Sequence, residues 1–236
     1  MKRVILCFIC AFAVTLSLPF SVFATSAEPT WGGFGKKDNV YFCANTDKKV
    51  AALTFDDGPH PHLTDEILDI LAEYEVKATF FVIGKNAEAY KKQLIRACSE
   101  GHEIGNHTYS HLTASGTNSE KLSAELKKTD KIISDITGQH PRLFRPPTGY
   151  CNSVAVQSAA ELGYKVILWT VDTRDWAHTS APEIKKNVSE HIGNGSIILF
   201  HDYVSGASST AEALRKLLPE LIEQGYTFDT VSNMIS

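Results

Sequence analysis

From Val50 onward the chain alternates short apolar runs with amphipathic stretches, a pattern that few architectures can satisfy. Val50–Phe55 reads as a strand, Ile67, Ile70, Leu71 and Tyr74 recur at helical spacing, and Thr79–Ile83 reads as the next strand. The rhythm continues through a helix ending near Gly101, a strand at Glu103–Asn106, and a long helix carrying Leu122, Leu126, Ile133 and Ile136 that Gly138 stops. Another strand starts at Leu143–Phe144, followed by a helix through Ala159 and Leu162 and the strand Lys165–Val171. A helix after Pro182, the strand Ile197–Phe200, a helix through Leu214, Leu217 and Leu221, and a last strand at Tyr226–Val231 complete the series. Repeated strand–helix–strand units build a parallel sheet, because each parallel return needs a crossover. The expected fold class is therefore single-domain α/β, with the sheet either open or closed as a small distorted barrel.

The polar residues fall at the ends of those strands. Asp56-Asp57 ends the first, His107 ends the third, and Arg145 follows Leu143-Phe144. Asp172 and Asp175 follow the strand that carries Trp169, and His201-Asp202 ends the Ile197 strand. In parallel α/β folds the carboxyl ends of strands converge on one face, so these residues are expected to form one site.

The types fit metal-assisted hydrolysis. His107 and His111 lie four residues apart, a spacing that brings two imidazoles to one side of a helical turn. Either Asp57 or Asp56 would complete a two-histidine, one-carboxylate set with open positions, which is a catalytic arrangement and one that also suits non-haem iron. The other aspartate would serve as base, kept anionic by a cation and by a partner such as Arg145. Amide cleavage also needs an acid for the departing nitrogen, and His201 beside a carboxylate such as Asp175 can supply it. His60 and His62, in a Pro-rich loop, are expected at the rim, while His102 and His140 look structural. Trp169 lies inside an apolar run and is expected in the core, whereas Trp176 is the better candidate for lining a cleft.

The termini and composition narrow the setting. Lys2 and Arg3 precede an apolar run from Val4 to Val14 and small residues around Ala24, so residues 1–24 read as a secretory signal, with a retained membrane anchor as the alternative. Residues 25–48, polar and Gly-rich, read as an N-terminal connector, and the catalytic domain is expected over 49–236. With 23 Lys+Arg against 27 Asp+Glu there is no basic excess, so nucleic acid is not an expected partner. Cys43, Cys98 and Cys151 remain after removal of the signal, an odd number without a CxxC spacing, which argues against a disulfide scaffold.

Five motifs then stand in order. Thr54-Phe55-Asp56-Asp57-Gly58, His107-Thr-Tyr-Ser-His111, Arg145-Pro146-Pro147, Asp172-Thr-Arg-Asp175-Trp176 and Leu199-Phe-His201-Asp202 resemble the motifs of the polysaccharide deacetylases, the NodB-like carbohydrate esterases. The resemblance spans residues 49–236 and implies a distorted (β/α)7-8 barrel. It implies one divalent metal, usually Zn2+ with Co2+, Ni2+ or Fe2+ as alternatives, held by Asp57, His107 and His111. It implies Asp56 as catalytic base oriented by Arg145, and His201 as general acid tuned by Asp175. Leu199 and Trp176 match positions that line the pocket for the acetyl methyl group. The family usually carries an aromatic residue after Arg-Pro-Pro, a position whose backbone N–H serves the oxyanion hole; here it is Thr148, with Tyr150 two residues later. Any side chain but proline keeps that donor, so the departure bears on the substrate groove, where Thr148 and Tyr150 are expected to contact substrate.

The implied partner is an N-acetylated polysaccharide, with peptidoglycan amino sugars favoured over chitin oligomers, other exopolysaccharides or O-acetyl xylan, and with no stable protein partner implied for a monomer. A sugar-binding pseudoenzyme is the reading from another class. It would require loss of a ligand, base or acid, and Asp56, Asp57, Arg145, His107, His111 and His201 are all present.

Overall fold

A computed structural model describes residues 33–236, so the segment read as a secretory signal lies outside the described residues. In chain order the elements are β1 (Val40–Tyr41), β2 (Val50–Asp56), α1 (Leu63–Glu73), β3 (Thr79–Val82), α2 (Gly84–Ala89), α3 (Lys91–Ser99) and β4 (Glu103–Asn106). There follow α4 (Ser119–Thr137), β5 (Leu143–Phe144), α5 (Ser153–Glu161), β6 (Lys165–Ile167), β7 (Val171–Asp172), α6 (Ala181–His191) and β8 (Ile197–His201). The chain closes with α7 (Thr210–Glu223), β9 (Thr227–Phe228) and α8 (Val231–Met234).

The strands form one parallel sheet in the order β1-β6-β5-β4-β3-β2-β8-β7, with β9 pairing to β2. The run Lys165–Val171, expected as a single strand, is two. β6 pairs with β5 and β1, whereas β7 pairs with β8 near the opposite end of the order. Four Cα steps separate Ile167 from Val171, and an extended chain covers at most roughly 14 Å in that distance. The two sides of the sheet must therefore curl toward each other, and the segment bridges them: Leu168 N–H donates to Tyr41 O and Thr170 N–H to Ile197 O. The result is the distorted barrel expected from the motifs.

Period-two alternation sorts each strand between two layers. In β2, Ala51, Leu53 and Phe55 face the helices, where Phe55 stacks on Phe80 at 5.0 Å and on Phe200 at 5.6 Å between ring centroids. Ala52 faces the barrel interior with Phe81, Leu143, Ile167 and Ile197, and Val231 of α8 joins this cluster. Thr54 and Asp56 continue the same inward row as Ala52, so one strand face passes from apolar floor to polar mouth. β8 repeats the arrangement, with Ile198 and Phe200 outward and Ile197, Leu199 and His201 inward.

Two boundaries differ from expectation. The stretch expected as a connector contributes β1, which pairs with β6 and buries Val40 and Phe42, so the compact fold begins before Lys49. The terminal strand is only two residues, and Val231 opens a short helix instead. α4 ends on a left-handed Gly138, as its sequence predicts, and starts on an Asn118 side-chain cap.

Candidate active site

The inward row of β2 ends at Asp56, which is 4% exposed and accepts a hydrogen bond from Arg145 Nη1 at 2.7 Å. Arg145 is wholly buried at the end of β5 and spends every nitrogen: Nη1 also donates to Thr54 Oγ1, Nε to Ile167 O and Nη2 to Leu168 O. The last two acceptors belong to the segment that crosses the barrel seam, so the guanidinium both closes the barrel and fixes the Asp56 carboxylate. Its flat face lies 4.2 Å from the Phe81 ring centroid.

Asp57 follows with a left-handed backbone, φ 74°. Its Oδ1 lies 3.4 Å from His107 Nε2 and 3.3 Å from His111 Nε2. The two histidines do not share a helical turn, as their spacing suggested. They are brought together by a loop in which Thr108 and His111 both take positive φ, leaving the rings 5.2 Å apart. Glu125 of α4 holds that loop by accepting the Tyr109 and Ser110 N–H groups, and Asn106 Oδ1 accepts the Thr108 N–H.

These three residues pass a test for cation binding. His107 Nδ1 lies 2.8 Å from Arg145 O, and only an N–H can donate to a carbonyl, so Nε2 of the neutral ring presents a lone pair to Asp57. Asp57 Oδ1 is buried and finds no hydrogen-bond partner among the described residues. The His107 lone pair, a second imidazole nitrogen from His111 and a buried carboxylate oxygen converge on one point, a donor set that suits a cation. Burial opposes the Asp57 anion, yet the imidazoles of His107, His111 and His201 hold its carboxyl below the usual range. Burial keeps His111 below the ordinary imidazole value and so favours the neutral ring that ligation needs.

Across the cleft, His201 ends β8 beside the fully buried Asp175. One Asp175 oxygen accepts from His201 Nδ1 at 2.8 Å, and the other accepts the His201 N–H at 2.8 Å and the Thr210 hydroxyl at 2.7 Å. Burial works against the imidazolium, but Asp175, then Asp56 and Asp57, outweigh it and push the His201 pKa up to about 9. His201 thus carries its extra proton at neutral pH.

The cleft over these groups encloses about 340 Å³ and is lined by Asp56, Asp57, His107, His111, His201, Leu199, Trp176 and Thr148, together with Gly149, Trp169 and Asp172. Arg145 and Asp175 stand behind this wall and act through the residues they hold. Thr148 takes φ 61°, an uncommon conformation for a β-branched residue, and sits on the cleft rim. Tyr150, expected in the groove, is absent from the cleft lining and 49% exposed. Trp169 departs in the other direction: it packs against the core and also walls the cleft, where its ring fills the space a side chain at Gly149 would need. Asp172 accepts from the Trp176 indole N–H at 3.3 Å. His60 and His62 stay outside the cleft, and His60 Nδ1 instead accepts the Leu63 N–H at the start of α1. His102 is buried, accepts the Ala78 N–H, and is held neutral by burial and by Lys77 and Arg96, its pKa falling to about 4.

Comparison with known proteins places the chain in a family. Residues 44–167 match the family model for polysaccharide deacetylase. A peptidoglycan-N-acetylglucosamine deacetylase of Bacillus cereus is 42% identical over 190 residues, 80% of this chain and 89% of that one. The crystal structure of the Bc1960 peptidoglycan N-acetylglucosamine deacetylase superposes with a TM-score of 0.82 at 37% identity, covering 85% of this chain and 94% of that one. BA3943, a CE4 family pseudoenzyme from Bacillus anthracis, is also similar, with a TM-score of 0.78 at 30% identity over 84% of this chain and 69% of that one. With the metal-compatible triad, the curled parallel sheet and a relative this similar over most of its length, the chain belongs to the polysaccharide deacetylases, a metal-dependent family.

Proposed function

We propose that the protein removes N-acetyl groups from peptidoglycan amino sugars, releasing acetate and leaving a free amine on the glycan. The observation that carries this reading is one cleft holding a cation-ready Asp57-His107-His111 cluster, an arginine-held carboxylate at Asp56 and a protonated imidazole at His201.

A divalent cation, which we take to be Zn2+, supplies Lewis acidity toward water and the amide carbonyl when bound by Asp57, His107 and His111. Asp56 is the base that takes a proton from the attacking water, and Arg145 keeps its carboxylate anionic and aimed. The Thr148 N–H, on the cleft rim, is the backbone donor for the carbonyl oxygen as it gains charge. His201 gives its proton to the nitrogen as the C–N bond breaks, and Asp175 holds its imidazole for that transfer. Leu199, Trp169 and Trp176 form the apolar side of the cleft, suited to an acetyl methyl group. The Lys2-Arg3 and apolar N-terminal run support secretion to the cell wall, where such a substrate lies.

The test is acetate release from purified peptidoglycan by residues 25–236, after chelation and again after zinc is restored. Zinc-dependent release is expected. No release in either state removes this substrate, and chitin oligomers then decide between another N-acetylated glycan and a non-catalytic sugar-binding protein.

A further inference from the structure

We propose that Asp202, which takes no part in the chemistry above, is a positioning residue: it clamps the backbone beside Asp57 and thereby sets the affinity of the metal site. The inference rests on reading Asp57, His107 and His111 as the ligands.

Asp57 needs such a clamp. A non-glycine residue at φ 74° persists only where its surroundings hold it there. Its own carbonyl accepts a hydrogen bond from Asn86 Nδ2 at 2.7 Å. The next residue, Gly58, is gripped on both sides, since its carbonyl accepts the Ile83 N–H at 3.0 Å and its N–H donates to Asp202 Oδ1 at 2.9 Å.

Asp202 is built for this contact. It is 1% exposed, does not line the cleft, and its other oxygen accepts the Thr64 hydroxyl at 2.7 Å. Thr64 Oγ1 in turn accepts the His60 N–H at 2.7 Å, which ties the far end of the same loop to the same carboxylate. The Asp202 N–H donates to Asp56 O at 3.1 Å, so the end of β8 holds the Asp56–Asp57 pair in register. A Cβ on Gly58 would fall 2.0 Å from Asp202 Oδ2, so the close approach requires glycine at position 58. A buried carboxylate is expensive unless its oxygens are satisfied, and the donors that satisfy this one are the loop it restrains.

The test titrates cobalt(II) into the full chain and into D202A, D202N and T64V, reading the visible absorption of the bound ion, its dissociation constant and the thermal unfolding of the apoprotein. D202A is expected to bind cobalt about tenfold or more weakly, the usual scale for losing a residue that orients a ligand, with an altered absorption band. D202N, whose amide oxygen still accepts the Gly58 N–H, is expected to restore most of that affinity. A folded D202A with the wild-type constant and spectrum overturns the inference. If D202A does not fold, T64V decides the matter, since it removes one of the two bonds that aim the carboxylate: weaker binding supports the clamp and unchanged binding overturns it. Wild-type protein that takes up no cobalt overturns the metal-site reading itself, and the role of Asp202 with it.

Discussion

His107 and Arg145 are joined twice over, once through the backbone and once through Asp56. The His107 Nδ1 atom lies 2.8 Å from the Arg145 carbonyl oxygen, while the Arg145 guanidinium donates to Asp56, whose other oxygen lies 3.8 Å from His107 Nε2. One residue at the end of β5 therefore fixes the tautomer of a proposed ligand and the position of the proposed base. The two functions separate under substitution, because the first uses the main chain and the second the side chain.

Arg145→Lys tests that separation. A lysine can satisfy one or two of the acceptors at Asp56, Thr54, Ile167 and Leu168 but not all four. The carbonyls left unpaired in the barrel wall are expected to cost about 1–3 kcal/mol, read as a lower urea midpoint. Acetate release should be nearly lost, while metal content stays at the wild-type level because the carbonyl that holds His107 remains. Wild-type stability together with wild-type turnover would remove Arg145 from this role.

Asp56→Asn and His107→Ala divide base from ligand. Asparagine can still accept from Arg145 but cannot take a proton, so turnover is expected to fall by roughly 10²–10⁴ with the metal retained. Alanine at 107 leaves two ligands of three, and the metal is expected to be lost with the activity. Acetate release and elemental analysis on the same samples check both. Unimpaired release by the first variant, or a full metal complement in the second, contradicts the assignment.

Much of this site is legible in the sequence, because strand ends in a parallel sheet converge and Asp56, Asp57, His107, Arg145 and His201 all sit at such ends. The grouping needs only the apolar runs and the polar residues that stop them. What is hidden is of three kinds. β1 is two residues in a Gly-rich stretch, too short to show a period. The break between β6 and β7 lies within an apolar run, since Leu168 is buried and Trp169 half-buried by barrel closure whether or not they pair as strand. Glu125 and Asn86, which hold the site, act on main-chain N–H and C=O groups of distant loops, and such contacts impose no spacing on the sequence; Asp202 is legible as a strand-end residue, but its hold on Gly58 is not.

Trp176→Ala and Tyr150→Ala distinguish the two exposed aromatics near the cleft. Both are 49% exposed, but only Trp176 lines the cleft, and its indole is oriented by Asp172. Trp176→Ala is expected to cost about 1 kcal/mol of substrate contact, roughly a fivefold rise in KM, with little change in melting temperature. Tyr150→Ala should leave KM for a short N-acetylated oligosaccharide unchanged. An equal rise in both variants would return Tyr150 to the groove.

The pH dependence follows from His201. In the proposed mechanism its protonated form gives the proton to the leaving nitrogen, and Asp175, Asp56 and Asp57 overcome burial to raise its pKa to about 9. Activity that needs this proton is present below that value and is lost as pH rises through it. A cation bound nearby repels the imidazolium, so the falling limb of kcat/KM in the metal-loaded enzyme lies no higher than about 9. Asp175→Asn removes the largest contribution that favours the charged imidazole, and the limb is expected to move to lower pH. Stability moves with the same sign: a histidine raised from 6.5 to about 9 stabilises the fold fully below 6.5, and that contribution disappears as pH rises through about 9. In Asp175→Asn this decline should flatten, which urea unfolding at several pH values measures beside the rate profile. Coincident alkaline limbs in wild type and variant would show that another group supplies the proton.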